Sequence, residues 1–97
     1  MTEPTADDYE SYLRLDLLLS AQEPLTDYHD ELVFIVGYQT AELWMKVVVD
    51  ELSLAGRRLG ADHVGSATRS LRRVGGILDL LAGQTRVLAS ITPADYR

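Results

Sequence analysis

The 97-residue chain has no cysteine, one tryptophan, one phenylalanine, three prolines and nine basic side chains. The absence of cysteine excludes a disulfide framework, thiolate chemistry and any cysteine-based zinc site. Nine Lys and Arg against fifteen Asp and Glu leave a formal charge of −6, so no basic patch is available to neutralise the phosphates of a nucleic acid or an anionic membrane. The densest arginine cluster, Arg69, Arg72 and Arg73, reads as a solvated helix face. Few prolines and seven glycines argue against a turn-rich β fold. The acidic start, MTEPTADD, lacks the basic and apolar regions of a signal peptide. The longest strongly apolar run, Leu32 to Val36, is too short to span a bilayer. A cytoplasmic protein with no nucleic-acid and no membrane partner is expected.

Apolar residues make up 46% of the chain, ample for the core of one small domain. Three helical segments can be read. The first runs from about Ala6 to Ser20, with Leu13, Leu15, Leu17, Leu18 and Leu19 forming a broad apolar face and Pro24 beyond its end. The second runs from about Asp30 to Leu59, capped by Asp27 or His29, with Arg57 and Arg58 in its last turn and Gly60 as its stop. Its polar residues Gln39, Glu42, Lys46, Asp50, Ser53 and Arg57 form one narrow stripe. From Leu32 to Leu54, fifteen of 23 residues are apolar or aromatic, so this helix needs cover on several sides. The third runs from about Ala61 to Ser90, where Val64, Ala67, Leu71, Val74, Leu78, Leu81 and Leu88 suggest a near-heptad seam. Gly75 and Gly76 in its middle suit either a close backbone approach or a kink. The expected fold class is all-α: an antiparallel bundle of about three helices in a single domain over 1–97. Its burial demand would be met by other chains or by a further C-terminal part.

A self-contained catalytic site is hard to assemble from these residues. His29 and His63 are far apart and lack acidic partners at ligand spacing, so no metal site within the chain is expected. The glycines form no phosphate loop.

Two runs carry a more specific signal. Residues 9–25, YESYLRLDLLLSAQEPL, contain a Tyr-x-x-Tyr-Leu-x-Leu-Asp pattern followed by Leu-Leu-Ser-x-Gln-x-Pro. Residues 29–46, HDELVFIVGYQTAELWMK, continue to Glu51 and Leu52, and Thr92, Pro93 and Tyr96 close the series. In order and separation these motifs resemble the N-terminal portion of the tryptophan 2,3-dioxygenase family, haem enzymes that open the indole ring of L-tryptophan to N-formylkynurenine with O2. The resemblance implies haem as cofactor, L-tryptophan or a related indole and O2 as substrates, and a homo-oligomer (the family is tetrameric) or a complementing chain. It places Phe34 in the indole pocket and Tyr96 near the substrate carboxylate. Tyr9, Tyr12 and Leu13 would reach the pocket of a neighbouring subunit, with Trp44 and Met45 as packing. Read without the resemblance, Phe34 is core, and Tyr9 and Tyr12 are part of an amphipathic stripe.

Two departures from the family pattern matter. Tyr38 stands where the family usually has a distal histidine. A phenol can donate a hydrogen bond, but its ordinary pKa of about 10 makes it a poor base at neutral pH. A phenolate can also ligate haem iron, so that role stays open. Glu42, four residues on, is within reach of the Tyr38 hydroxyl. Arg97 is one residue beyond Tyr96, where the family's carboxylate-clamping arginine lies four beyond, and the family's proximal histidine belongs to a C-terminal part. Three readings follow: the N-terminal part of a tryptophan 2,3-dioxygenase-like enzyme, a specialised haem oxygenase acting on another indole or aromatic substrate, or a non-catalytic helical oligomerisation module or remnant.

Overall fold

Among the described residues four helices form, all from segments whose periodicity predicts helix: α1 (Ala6–Leu13), α2 (Leu15–Leu18), α3 (Glu31–Gly60) and α4 (Val64–Leu88). The structure is a computed structural model describing residues 6–91, with side chains from residue 8. Thr92, Pro93, Tyr96 and Arg97 lie outside the described residues.

The first expected helix is two. Arg14 adopts a left-handed conformation at φ 55°, ψ 47°, a region that costs an L-residue about 1–2 kcal/mol. Its amide donates to the Ser11 carbonyl at 3.2 Å, and its carbonyl accepts from the Leu17 and Leu18 amides, so the break leaves these groups paired. Arginine is a good helix former, and nothing in the sequence marks the interruption.

The start of α3 also differs from expectation. Its N-cap is Asp30, without a side-chain cap hydrogen bond. Glu31 reaches backwards instead, accepting from the Leu25 amide at 2.9 Å, the Thr26 amide at 2.8 Å and the Thr26 hydroxyl at 2.7 Å. These donors, the Leu25 amide foremost, hold its carboxyl below the ordinary value. The far end closes on Asp62 rather than Gly60, which is still helical. Asp62 sits at φ 62°, its amide donating to the Leu59 carbonyl and the His63 amide to that of Arg58. This is a Schellman turn with aspartate, one of the few residues that visit the left-handed region, in the usual glycine position.

From that turn α4 runs back antiparallel to α3. The contacts march in opposite directions along the two helices, from Arg58 with Ser66, through Glu51 with Arg73 and Thr40 with Gln84, to Gly37 with Leu88. On α4 the contacting or covered positions are Ala67, Ser70, Val74, Ile77, Leu81, Gln84 and Leu88, alternating by three and four as a heptad seam does. The expected heptad is therefore real, but its register differs. Leu71 and Leu78 face out, at 47% and 51% exposure, while Ser70, Ile77 and Gln84 face in. The inward polar groups pair across the seam, except Glu51 Oε2, which is buried without a hydrogen-bond partner. Arg73 donates to Glu51 at 2.8 Å, the Thr40 hydroxyl donates to Gln84 Oε1 at 2.7 Å, and Gln84 Nε2 donates to the Gly37 carbonyl. The apolar core proper is small: Val48, Val74 and Ile77, flanked by Leu81.

These helices make one layer. The molecule is a slab of 53 × 35 × 16 Å, and an α-helix with its side chains is itself about 10–12 Å across. The radius of gyration, 17.7 Å, exceeds the roughly 12 Å of a compact chain this long. Among the described residues 24 large apolar side chains are exposed and six apolar residues are buried, consistent with the expected shortage of cover. By length and composition alone α3 could cross a membrane, which the shorter run Leu32–Val36 did not suggest. Its polar stripe argues against that: Glu42 and Lys46 would each cost about 3 kcal/mol at the bilayer centre.

Glycine positions give opposite expectations. A Cβ on Gly37 would lie 2.6 Å from Leu88 Cδ2, whereas one on Gly75 or Gly76 meets nothing within 4 Å. The Gly75–Gly76 pair thus marks no close backbone approach. Gly75→Ala and Gly76→Ala should each raise stability by about 1 kcal/mol, and Gly37→Ala should lower it by about 1 kcal/mol because overpacking outweighs helix propensity. Thermal denaturation of the three variants reads both signs. Glu51 supplies a second test. The hydrogen bond from Arg73, then that from Ser70, hold its carboxyl below the ordinary 4.5 against the opposing effect of burial. A depressed folded pKa gives stability that is present above the unfolded value and lost as pH falls through the folded one. Urea midpoints of the parent should therefore fall as pH drops below 4.5, and Glu51→Gln should flatten that slope.

Candidate functional site: the aromatic flank of α3

The first two turns of α3 carry Phe34 and Tyr38 four residues apart, on one face of the helix. Their rings meet with centroids 4.8 Å apart and planes tilted by 48°, within the range favoured by aromatic pairs. Neither ring is core. Phe34 is 37% exposed and Tyr38 57%, so the pair forms an open apolar surface with a phenol at its edge. The Tyr38–Glu42 hydrogen bond that the spacing permits is not formed among the described residues. Tyr38 is fixed by its aromatic neighbour and not by a polar one.

Tyr38 also lines a groove of about 380 Å³ between the α2 segment and α3. Leu18 and Ala21 form one side, and Tyr38, Gln39, Glu42 and Leu43 the other. The far wall is held by amides. Gln22 Nε2 donates to the Leu18 carbonyl at 2.8 Å and to Gln39 Oε1 at 2.9 Å, and Gln39 Nε2 donates to the Ala21 carbonyl at 2.9 Å. Periodicity places Gln39 at the head of a solvated stripe, but the structure half-buries it in this clasp. Its i+4 spacing to Leu43 and proximity to Tyr38 were legible; its partner, seventeen residues back, was not. On the other side of α3, Leu32, Val36, Gly37, Thr40 and Leu88 border a second apolar groove of about 430 Å³.

The remaining predicted site residues lie apart. Tyr9, Tyr12 and Leu13 project from α1 at 52%, 79% and 41% exposure and line no part of the Tyr38 groove. Tyr96 lies outside the described residues. Neither histidine lines the Tyr38 groove. His29 precedes α3, and His63 is the N-cap of α4, beyond the far end of α3. Among the described residues no three His, Asp or Glu side chains converge as a metal site.

Known proteins carry the same sequence pattern. Over 88 residues, 91% of this chain, it is 47% identical to a tryptophan 2,3-dioxygenase of Polaromonas sp., covering 30% of that protein. It is 48% identical over 88 residues to that of Caulobacter vibrioides, covering 34% of it, and 47% identical over 90 residues to that of Arthrobacter sp., covering 32%. The chain thus spans about a third of the length of these relatives. Residues 2–97 match the tryptophan 2,3-dioxygenase family, and with the order of its motifs and its all-helical fold, this chain belongs to that family.

Proposed function

We propose that this chain supplies one wall of the substrate pocket of a haem-dependent tryptophan 2,3-dioxygenase, which opens the indole ring of L-tryptophan to N-formylkynurenine with O2. The observation that carries this reading is the Phe34–Tyr38 pair, exposed on an otherwise rigid helix at the positions where the family resemblance puts the indole pocket. Phe34 offers an apolar face to an indole. Tyr38, with no hydrogen bond tying up its hydroxyl among the described residues, can donate one to a bound substrate. Tyr9, Tyr12 and Leu13 are exposed on α1 and line no part of the Tyr38 groove, as residues would that serve the pocket of a neighbouring copy. Tyr96 would complete the pocket at the substrate's carboxylate end. The enzyme would be a cytoplasmic homo-oligomer, or an assembly with a complementing chain.

The described residues do not themselves fit a haem. They offer an apolar wall, but no imidazole on the Tyr38 flank and no enclosing second layer. Haem would have to be held by the portion of the family fold beyond these residues. Tyr38 in place of histidine favours a second reading within the same superfamily, an oxygenase acting on another indole or aromatic substrate.

A fusion of this chain to the remaining two thirds of the Polaromonas relative tests both readings. In that fusion Phe34→Ala should lower kcat/KM for L-tryptophan about tenfold and Tyr38→His should raise it about tenfold, each near 1.4 kcal/mol in the barrier. If Tyr38→His leaves the rate unchanged or lowers it, Tyr38 does not limit tryptophan chemistry. If the fusion is inert on tryptophan but oxidises another indole, the second reading replaces the first. A fusion that oxidises no indole, beside an isolated chain forming a stable oligomer, would instead mark a non-catalytic module.

A further inference from the structure

The N-terminal arm, α1 and α2, is attached to the α3–α4 hairpin in an unusual way. Its apolar residues do not anchor it, since Leu17, Leu18 and Leu19 stay 52%, 42% and 71% exposed. Two sets of polar contacts cross to α3 instead. One is the grip of Glu31 on the Leu25 and Thr26 amides, which fixes the connection just before α3. The other is the Gln22–Gln39 clasp, one residue from Tyr38, which reaches the segment that directly follows α2.

The chemistry of the clasp suits an orienting device better than a structural weld. The Leu18 carbonyl ends α2 and accepts only a long backbone hydrogen bond, from the Ala21 amide at 3.4 Å, and the Ala21 carbonyl lies just beyond the helix. Each receives a side-chain amide, from Gln22 and Gln39 respectively, and the two amides are bonded to each other at 2.9 Å. Hydrogen bonds are directional, so this arrangement selects one course for the backbone, where an apolar contact would tolerate many. It also sets the width of the groove, because Leu18 and Ala21 are its wall opposite Tyr38.

We propose that Gln22 and Gln39 are positioning residues. They fix the Leu18–Ala21 segment against the Tyr38 flank and thereby set the direction in which the arm bearing Tyr9, Tyr12 and Leu13 leaves the hairpin. The functional meaning of that direction rests on the reading of Tyr38 as part of a substrate pocket. The geometry itself can be measured without haem or substrate, so failure of one is distinguishable from failure of the other.

The chain lacks cysteine, so Glu10→Cys and Asp50→Cys introduce the sole spin-label sites on α1 and α3. Dipolar distance measurements on the 97-residue chain, diluted with unlabelled chain, should give one narrow distribution. Gln39→Met, which keeps the length of the side chain but removes both hydrogen bonds, should broaden it at least twofold, with the helical circular dichroism of the hairpin retained. Gln39→Glu keeps the acceptor for the Gln22 amide and should stay closer to the parent width. Glu42→Gln, on the same groove but outside the clasp, should match the parent. The proposal is overturned if the parent distribution is already broad, if Gln39→Met leaves it unchanged, if Gln39→Glu does no better than Gln39→Met, or if Gln39→Met unfolds the hairpin.

Discussion

The narrow seam between α3 and α4 is the constraint from which the rest of the structure follows. Where two helices meet through Gly37, Ala55, Ala67 and Ser70, with Val48, Val74 and Ile77 as the main apolar contacts, their surfaces come close but little area is buried. At about 25 cal/mol per Å² of apolar surface removed from water, a seam of small side chains contributes modestly. Specificity comes from its polar pairs. Glu51 with Arg73, and Gln84 with Thr40 and the Gly37 carbonyl, each require one register, since a slip would leave a polar group of the seam without its partner. Register fixed by polar groups frees the larger leucines to point elsewhere.

Those outward residues explain the shape. Folded domains usually bury one face of each element against a second layer, and here the second layer is missing from a slab 16 Å thick. Leu71 and Leu78 on α4, and Leu43, Met45, Val49 and Leu52 on α3, remain exposed. The same openness makes the aromatic flank accessible. Among the described residues nothing closes over Phe34 and Tyr38, as the proposed pocket wall requires. The chain spans about a third of the length of the relatives it matches.

Much of this was legible in the sequence, and the failures have physical causes. The 3.6-residue period gave both long helices to within a few residues, since a continuous apolar pattern over 25 or more residues leaves little ambiguity. Hydrophobic periodicity misses the register of α4 because it counts leucines, whereas small Ser70 is buried in the seam and Gln84 enters it through hydrogen bonds that no periodicity reveals. Arg14 and Asp62 adopt left-handed conformations without the glycine that usually signals them. Gln39 looked like the head of a solvated stripe because its partner Gln22 lies in a separate segment. For the site, pattern alone offers Phe34 only as core and gives Tyr38 no role beyond its reach to Glu42. Their exposure and mutual contact come from the structure, and their candidate role from kinship with the family.

If this chain is one wall of a shared site, as proposed, it does not hold the family's cofactor by itself. The most direct measurement is a haemin titration followed by absorption spectroscopy, on the 97-residue chain alone and again with the complementary two thirds of the Polaromonas relative present as a separate polypeptide. The chain alone should show no ligated-haem Soret band, and a band saturating at one haem per pair should appear when the second polypeptide is added. A ligated haem in the isolated chain, or none in the mixture, would contradict that proposal.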